Sequence, residues 1–220
     1  MSRIIVYGAS GHARYTIDAL ERAGDHEIVG LIDDGVPSGT SVYGYPVLGV
    51  GADLRRLRDE VGFDGGVVAI GDNFVRSKVV ERIERVVPDF EFVSAIHPFG
   101  VVGRDCVVGA GTVLLAGAVI GSSSSVGEHS FLATNSSIDH NSALGRFGSL
   151  APGAATGGGV RIGDFSTISV GAAVIHGITI GEHTVVGAGA AVVRDLPGYV
   201  VAVGVPCRVV RRREPGERYL

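Results

Sequence analysis

The second half of the chain is built on a repeat of six residues. An aliphatic residue recurs at every sixth position from Val102 to Val192, and only Thr156 interrupts the series. The next position is mostly glycine, and the fifth position of each unit is mostly Ala, Ser or Thr. A period of six does not fit a helix of 3.6 residues per turn, and each glycine would destabilise such a helix by about 1 kcal/mol. The repeat therefore predicts a β-solenoid of short strands that turn at each glycine, with three units in each triangular coil.

In such a coil, positions eighteen residues apart stack in neighbouring coils at a spacing of about 4.8 Å. The outward third positions of the units then form three columns. One column is charged and is expected to face solvent. The second is nearly apolar although it points outward, and it consists of Ala116, Thr134, Pro152, Val170 and Ala188. The third alone carries histidine, and it consists of Arg104, Ser122, His140, Gly158, His176 and Arg194. An exposed apolar column predicts a covering partner, so we expect a ligand and a neighbouring subunit to meet here.

The first ninety residues have a different pattern, typical of a small parallel sheet. Buried strands are predicted at residues 3–7, 27–32 and 67–70, and helices at residues 13–23 and 74–87. A glycine turn at residues 8–12 follows the first strand, Asp33 and Asp34 follow the second, and Gly71 follows the third. Ligands bind such sheets at the carboxyl ends of the strands. The turn lacks the full Gly-x-Gly-x-x-Gly pattern, which favours a mononucleotide over a dinucleotide.

Composition excludes several classes of function. The chain has a formal net charge of −4 and only one basic cluster, at residues 208–213, which argues against a nucleic-acid-binding protein. No apolar stretch is long enough for a membrane span, and we expect a soluble protein. The two cysteines are far apart in the sequence and no signal peptide is evident, which favours a cytoplasmic location.

Three short motifs carry a resemblance to a known family. They are Gly-Ala-Ser-Gly-His at residues 8–12, Ile-His-Pro at residues 96–98 and Gly-Val-Pro-Cys-Arg at residues 204–208. Together with the repeat they resemble the sialic-acid and bacillosamine type sugar acetyltransferases. The resemblance implies a nucleotide-sugar-binding Rossmann-like α/β domain at residues 1–95 and a left-handed parallel β-helix at residues 96–220. It also implies a homotrimer that serves glycan biosynthesis.

The same resemblance implies the reaction. The expected activity is transfer of acetyl from acetyl-CoA, with no metal, to the amino group of a nucleotide-linked aminosugar such as a 4-amino-4,6-dideoxy sugar. The alternative is acetylation of a hydroxyl on a sialic-acid-like or polysaccharide sugar. Binding of a nucleotide to the N-terminal domain would favour the first.

Direct transfer from a thioester needs a base near the amine and a cradle for the oxyanion, but no cysteine nucleophile. His140 lies on the outward histidine column, at the position where the family has its base. Gly158 follows one coil later, and its amide is the candidate oxyanion donor. Asn141 replaces the Asp or Glu that usually follows this histidine, so it can orient the imidazole but cannot supply a charge. Asp139 remains a candidate substitute for that carboxylate.

The substrates are assigned to two further groups of residues. We expect the nucleotide to lie over the first strand-to-helix turn and the two neighbouring strand ends, at Ser10, Gly11, His12, Asp33, Asp34 and Gly71. By resemblance, acetyl-CoA contacts Ser149, Val170 and Ala188, of which Ser149 replaces a histidine of the bacillosamine type relatives. The last two also belong to the apolar column.

The other histidines are given lesser roles. His129 and His183 are expected to face solvent, and His97 to cap the solenoid. His26 is expected on the surface, and His176 at the rim of the ligand site.

Three rival functions fit less well. A zinc carbonic anhydrase on this solenoid would need histidines converging from adjacent coils, and the histidine spacing typical of that group is absent. A sugar nucleotidyltransferase would need a glycine- and arginine-rich N-terminal signature that is missing. A scaffold would have no reason to place His140 beside a glycine gap.

Overall fold

The N-terminal half is an α/β domain with the predicted parallel sheet. The computed structural model describes residues 1–218. Its N-terminal elements are, in chain order, β1 (Ser2–Tyr7), α1 (Gly11–Ala23), β2 (His26–Ile32), β3 (Ser41–Val42), β4 (Tyr45–Gly49), α2 (Leu54–Leu57), β5 (Gly65–Val68), α3 (Asn73–Val86) and β6 (Glu91–Phe92). The sheet order is β3-β4-β2-β1-β5-β6, and only the β3–β4 hairpin is antiparallel. The carboxyl ends of β1, β2 and β5 therefore meet at one edge, as the sequence predicts.

The C-terminal half is a solenoid of two-residue strands. Its strands are β7 (Ala95–Ile96), β8 (Val101–Val102), β9 (Val107–Val108), β10 (Val113–Leu114), β11 (Val119–Ile120), β12 (Ser125–Val126), β13 (Phe131–Leu132), β14 (Ser137–Ile138), β15 (Ala143–Leu144), β16 (Ser149–Leu150), β17 (Ala155–Thr156), β18 (Arg161–Ile162), β19 (Thr167–Ile168), β20 (Ala173–Val174), β21 (Thr179–Ile180), β22 (Val185–Val186) and β23 (Ala191–Val192), followed by the longer strands β24 (Val200–Val203) and β25 (Arg208–Arg212). From β7 to β23 every third strand pairs in parallel at a register of eighteen residues, as in Phe131↔Ser149, while β24 pairs with β22 and is antiparallel to β25. The predicted left-handed parallel β-helix is confirmed.

The repeat explains the interior of the solenoid. The recurrent aliphatic residues point inward, and Leu114, Ile120, Leu132 and Ile138 are completely buried. Small fifth-position residues fit beside them, and several of their hydroxyls donate to a carbonyl one coil further on. Ser130 Oγ, for example, donates to Gly145 O at 3.0 Å. These bonds satisfy polar groups that would otherwise be buried without a partner.

The three corners of the triangular coil differ in their side chains, and we name them accordingly. The histidine corner holds Arg104, Ser122, His140, Gly158, His176 and Arg194. The apolar corner holds Ala116, Thr134, Pro152, Val170 and Ala188. The ring corner holds the fourth-position residues His129, Phe147, Phe165, His183 and Tyr199.

The ring corner overturns the expectation that His129 and His183 face solvent. Their exposed fractions are only 3% and 8%. The rings stack coil upon coil, with His129 and Phe147 centroids 5.2 Å apart and Phe165 and His183 centroids 4.6 Å apart. Burial and the Arg76 and Arg146 charges lower the pKa of His129 to about 4. The expectation is wrong because tertiary packing covers this corner with α3 and with the residues after β25.

The N-terminal domain packs on one face of the solenoid. The sheet β7-β10-β13-β16-β19-β22-β24-β25 forms that face. Ala95 and Val113 share a hydrophobic core with Ile4 and Ile17, while Phe147 shares another with Ile5 and Ile83. His97 is buried where the chain enters the solenoid, and its Nδ1 accepts from the Phe99 N–H at 3.0 Å. Among residues 1–218, no helix has the length and apolar character needed to cross a bilayer.

Candidate active site

His140 and Asn141 form a hydrogen-bonded pair on the histidine corner. Asn141 has a φ of 57°, a left-handed conformation that asparagine tolerates well. This conformation turns its side chain toward the preceding residue, and its Nδ2 lies 2.9 Å from His140 Nδ1. The Nε2 atom of the exposed imidazole is the nitrogen left for a substrate. The predicted orienting role of Asn141 therefore has a defined geometry.

Asp139 is directed elsewhere. Its Oδ1 accepts from the backbone N–H of His140 at 2.7 Å. Its own N–H donates to the hydroxyl of Thr156, the residue that interrupts the aliphatic series, at 3.2 Å. Asp139 thus stabilises the turn that presents His140, while the imidazole itself contacts an uncharged amide.

Gly158 lies beside the imidazole and leaves room for it. A Cβ at this position would lie 2.5 Å from His140 Cε1 and 2.6 Å from Nε2, closer than real Cβ contacts. The ladder bonds of this corner run from Gly159 N–H to His140 O and from Gly177 N–H to Gly158 O. Within residues 1–218, no hydrogen bond uses the Gly158 N–H. A hydrogen-bond donor without an internal partner therefore lies next to the candidate base.

The turn after β1 carries Ser10 and Gly11 at the start of α1. Ser10 is the N-cap residue, and its hydroxyl makes no capping bond. With Ala9, Arg14 and Tyr15, the two residues line an open cavity of about 340 Å³. The positive end of the helix dipole and the Arg14 side chain both favour an anionic ligand here.

Asp33 bonds a residue that lines that cavity, and Asp34 bonds groups outside the lining. Asp33 Oδ2 accepts from Ala9 N–H at 2.7 Å, and its Oδ1 accepts from Gly35 N–H at 2.8 Å. Asp34 accepts from Tyr7 Oη at 3.0 Å, from Arg82 Nη1 at 2.7 Å and from Gly51 N–H at 2.8 Å. Both carboxylates are therefore already hydrogen-bonded within the protein.

These bonds also change the pKa values of Asp34 and Tyr7. Burial alone would raise the pKa of Asp34, but the hydrogen bonds from Gly51, Arg82 and Tyr7 outweigh it and lower the pKa. Burial and the neighbouring Asp34 raise the pKa of Tyr7 to about 12, so its hydroxyl remains a donor. Asp34 therefore stays ionised and Tyr7 stays protonated across the neutral pH range.

A second cavity lies between the two domains and has a volume of about 190 Å³. His12 and Gly71 line it from the N-terminal domain. The solenoid contributes the remaining residues, which are Phe131, Ser149, Ala151, Pro152, Thr167 and Val170. Residues from the predicted nucleotide group and the predicted acetyl-CoA group thus share one cavity. Its wall is nearly all apolar, as suits the uncharged part of a ligand.

His12 lines this second cavity and is absent from the lining of the first. A Cβ on Gly71 would overlap its ring, which also packs against Phe131 with centroids 5.1 Å apart. Burial and the Arg76 charge lower the pKa of His12, so the ring is neutral at neutral pH. A neutral imidazole in an apolar cavity acts as a hydrogen-bonding group.

The remaining predicted residues lie apart from these groups. Ala188 is exposed on the apolar corner, above Val170 and outside the lining of the cavity. His140, Asn141 and Gly158 lie on the histidine corner, and the sheet of β8, β11, β14, β17, β20 and β23 separates that corner from the apolar corner. No cluster of three or more potential metal ligands occurs in the described part of the chain.

Several residues of the site escaped the sequence analysis. Arg14 and Tyr15 line the first cavity, and Phe131 and Thr167 line the second. Arg14 could have been found from its place in the first turn of a helix that follows a glycine loop. Phe131 and Thr167 carry no such signal, because only tertiary packing brings them beside His12.

Comparisons with known proteins agree with this architecture. Residues 3–83 match the PglD N-terminal domain family. A UDP-N-acetylbacillosamine N-acetyltransferase from Bacillus subtilis (strain 168) is 32% identical over 119 residues, which are 53% of this chain and 52% of that protein. The match therefore spans about half the length of this curated relative.

Two solved structures cover nearly the whole chain. PerB from Caulobacter crescentus, in complex with CoA and GDP-perosamine, is 36% identical with a TM-score of 0.89, covering 96% of this chain and 98% of that one. The acetyltransferase domain of PglB from Neisseria gonorrhoeae FA1090, in complex with acetyl coenzyme A, is 31% identical with a TM-score of 0.87, covering 95% and 99%. The chain therefore belongs to the hexapeptide-repeat family of sugar N-acetyltransferases, acetyl-CoA-dependent enzymes that act on nucleotide-linked aminosugars.

Proposed function

We propose that this protein transfers the acetyl group of acetyl-CoA to the amino group of a nucleotide-linked 4-amino-4,6-dideoxy sugar, with His140 as the general base. The observation that carries the proposal is the arrangement at the histidine corner. His140 Nε2 faces a glycine gap whose N–H has no internal partner. A base beside a free backbone donor is what acyl transfer from a thioester requires.

The reaction follows from this geometry. The sugar amine attacks the thioester carbonyl, a C–N bond forms, and the amine proton passes to His140 Nε2. The negative charge that develops on the carbonyl oxygen is stabilised by the Gly158 N–H. The C–S bond then breaks, and the CoA thiolate takes up the proton from the imidazolium. A positioned base contributes about 100-fold to 10,000-fold to such a step.

The amide of Asn141 determines which tautomer of His140 is present. When Nδ2 donates to Nδ1, the neutral ring carries its proton on Nε2 and cannot accept another there. Half a turn of the amide brings Oδ1 to the same place, so that Nδ1–H donates to it and Nε2 has a free lone pair. We assign the second arrangement to the base, and Asn141 is then the residue that holds it.

The nucleotide is assigned to the first cavity. Its diphosphate would lie on the backbone of Ser10 and Gly11, with Arg14 as a counter-charge. Asp33 would act there by holding Ala9, and Asp34 would support the neighbouring strand end through Gly51, since the oxygens of both already accept internal bonds. PerB is bound to GDP-perosamine and the Bacillus relative is a UDP-N-acetylbacillosamine N-acetyltransferase, which supports a nucleoside diphosphate sugar.

The sugar and the acetyl-CoA arm are assigned to the second cavity and the apolar corner above it. His12 and Gly71 lie on the nucleotide side, and Ser149 and Val170 on the solenoid side. Val170 is 55% exposed and Ala188 lies one coil further, so both can contact an extended pantetheine. Residues 1–95 would then hold the nucleotide, and residues 96–220 the acetyl donor and the base.

The site is completed by a second copy of the chain, and we propose a closed trimer. The second cavity lies beside the apolar corner, and His140 lies on the histidine corner, at the other end of the two-residue strands of the sheet β8, β11, β14, β17, β20 and β23, so we assign the base that acts at each cavity to the neighbouring copy. That sheet exposes mostly small or apolar residues, including Val101 at 53%, and Ile175 on the adjoining turn is 44% exposed. A cyclic assembly would cover this face and place His140 of one copy beside the cavity of the next.

A cytoplasmic location is also proposed. Cys106 and Cys207 are both free thiols, which suits a reducing compartment.

A substrate panel tests the proposed function. Purified protein is incubated with acetyl-CoA and 4-amino-4,6-dideoxy sugars linked to UDP, GDP or dTDP, while free CoA thiol and product mass are measured. We expect one nucleotide sugar to give an N-acetylated product, turnover lowered by about 100-fold or more with His140→Ala, and normal turnover with the control His26→Ala. Acetylation of 4-hydroxy sugars in place of 4-amino sugars would overturn N-acetyl transfer and establish the O-acetylation alternative.

A further inference from the structure

The first turn of α3 is unusual because it buries polar side chains. Asn73, Arg76 and Ser77 are only 2%, 2% and 3% exposed. Further along the same helix the buried residues are apolar, as in Val79, Val80 and Ile83, and they face the sheet. Buried polar groups are costly unless every one has a partner. The first turn therefore has a purpose other than packing the core of its own domain.

Arg76 connects the loop after β5 with two coils of the solenoid. Its Nη1 donates to Ile70 O at 2.7 Å and to Gly71 O at 3.2 Å. Its Nε donates to His129 O at 2.8 Å, and Nη2 donates to Phe147 O at 3.2 Å. One planar guanidinium thus bonds four backbone carbonyls, two in each domain, and only arginine has enough donors in a fixed plane for this.

Asn73 extends the connection to the wall of the second cavity. Its Oδ1 accepts from Arg76 Nη2 at 2.7 Å and from Ser149 Oγ at 2.6 Å. Its Nδ2 donates to Thr167 Oγ1 at 3.1 Å and to Phe165 O at 3.4 Å. Ser149 and Thr167 are register partners on adjacent strands, and both line the cavity.

The opposite wall of the second cavity is connected to Asn73 and Arg76 as well. Gly71, whose carbonyl Arg76 holds, packs directly against the His12 ring. His12 in turn follows Ser10 and Gly11 of the first cavity. A continuous series of contacts therefore runs from the solenoid wall, through Asn73 and Arg76, to the loops of the nucleotide domain.

We infer that Asn73 and Arg76 are positioning residues that fix the width of the cavity between the two domains, and so align the sugar amine with the acetyl group. The inference rests on the proposed function. Neither side chain lines the second cavity, so neither is expected to bind a substrate there. Their effect is on alignment, and a misplacement of about 1 Å can cost about 100-fold in rate while each ligand still binds.

A purely structural role would give a different result. If the pair only holds the domains together, its loss lowers stability and weakens binding and turnover in parallel. If the pair sets alignment, kcat falls while the affinity for each ligand alone is retained. The loss of kcat relative to the loss of ligand affinity therefore distinguishes an alignment role from a purely structural one.

The test uses Arg76→Lys, which keeps the charge but loses the planar set of donors. kcat and KM are measured with the nucleotide aminosugar, and Kd for CoA and for the nucleoside diphosphate are measured separately by calorimetry. We expect kcat to fall at least about tenfold and both Kd values to stay within about threefold. Arg85→Lys, in the exposed last turn of the same helix, is the matched control and should change neither.

Asn73→Asp serves as a second variant should Arg76→Lys fail to fold. It keeps the acceptor for Arg76 and Ser149 but loses the donor to Thr167 and Phe165, and we expect a smaller fall in kcat with the same unchanged Kd values. An unchanged kcat in a folded variant, or a loss of kcat matched by weaker binding of either ligand, would overturn the inference alone. A wild-type protein that binds both ligands and transfers no acetyl group would overturn the proposed function, and this inference with it.

Discussion

The histidine corner and the ring corner are built on the same repeat, yet they have opposite roles. Both turn through a left-handed fourth residue, with a φ of 57° at Asn141 and 55° at Phe147. On the ring corner the side chains stack at centroid distances from 4.6 to 5.2 Å and are covered by α3 and the segment after β25. On the histidine corner His140 is exposed, and the coil above it offers only glycine.

This difference shows that the repeat determines the backbone but not the use of a corner. Six-residue periodicity requires an aliphatic residue and a small residue in the interior of each unit and tight turns between units, and it leaves the outward positions free. Stacked rings there provide a surface on which a second domain can dock. A glycine next to a lone histidine provides room for a thioester and an unused N–H donor. Whether a corner serves for packing or for chemistry therefore depends on what lies against it in the folded molecule.

The largest expected effect is the loss of the base. His140→Ala should lower kcat by about 100-fold or more, because a general base contributes about that much, and it should leave binding of the nucleotide sugar intact. Steady-state kinetics and a separate binding measurement check both parts. Near-normal turnover would remove His140 from the mechanism and leave the two corners without a functional difference.

The next effect concerns stability at the ring corner. The pKa of His129 is lowered to about 4 by burial and by Arg76 and Arg146, against about 6.5 in an unfolded chain. Between these values the unfolded chain binds a proton that the folded chain does not. The free energy of unfolding should therefore fall by about 3 kcal/mol as the pH decreases through that window, and the stabilisation is fully present above it.

The variant His129→Phe should remove this pH dependence. It continues the row of phenylalanine rings and eliminates His129 Nδ1, which has no hydrogen-bond partner within residues 1–218. Urea denaturation at a series of pH values measures the acid slope of wild type, His129→Phe and the control His26→Asn. An acid slope as steep in His129→Phe as in wild type would show that another group is responsible.

A moderate effect is expected from closing the gap at the histidine corner. In Gly158→Ala the added methyl group would lie 2.5 Å from His140 Cε1, so the imidazole must move. Loss of alignment should lower kcat at least about tenfold. Gly177→Ala is a useful comparison, because a Cβ there would meet nothing within 4 Å, although its φ of 71° is strained for alanine. Because Gly158 does not have a positive φ, a loss of turnover in Gly158→Ala is assigned to closing the gap, and turnover close to that of wild type in this variant would contradict that role for the gap.

The smallest effect concerns the tuning of the base. Asn141→Asp places a carboxylate beside His140 Nδ1, and its negative charge favours the protonated imidazole, although solvent weakens the effect because the pair is exposed. The acidic limb of the kcat/KM profile should therefore move to higher pH. Asp139→Asn should leave that limb in place, because Asp139 bonds the backbone N–H of His140. A shift only in Asp139→Asn would mean that Asp139 is the carboxylate that acts on the imidazole.

More of the fold than of the site could be predicted from the sequence. The period of six is set by the interior of the solenoid, so the repeated strands from β8 to β23 and the column containing His140 and Gly158 follow from the sequence, whereas β24 and β25 lie beyond the repeat. The pairing of β1, β2 and β5 follows from buried runs that end in Gly, Asp and Asn. The roles of outward residues do not follow, because they depend on which element lies opposite.

His129 illustrates that limit. Its sequence neighbours are mostly polar and glycine residues, and it is buried by the rings of Phe147 and Phe92 together with the cover of α3. Arg76 is a second example. It bonds backbone carbonyls up to seventy-one residues away, and a backbone carbonyl cannot be recognised as a partner from the residue type in the sequence. Asp33 and Asp34 were recognised as strand-end residues, but the bonds to Ala9 and Gly51 that occupy them depend on loop conformation.

The most direct test of the difference between the two corners compares His140→Asn with His129→Asn, measuring kcat and the midpoint of thermal unfolding for both. For His140→Asn the account predicts a fall in kcat of about 100-fold or more with an unchanged midpoint. For His129→Asn it predicts a lower midpoint, because a stacked ring is lost, and a kcat per folded molecule close to that of wild type. A His140→Asn variant that retains wild-type turnover, or a His129→Asn variant that loses turnover without losing stability, would contradict the assignment of chemistry to one corner and packing to the other.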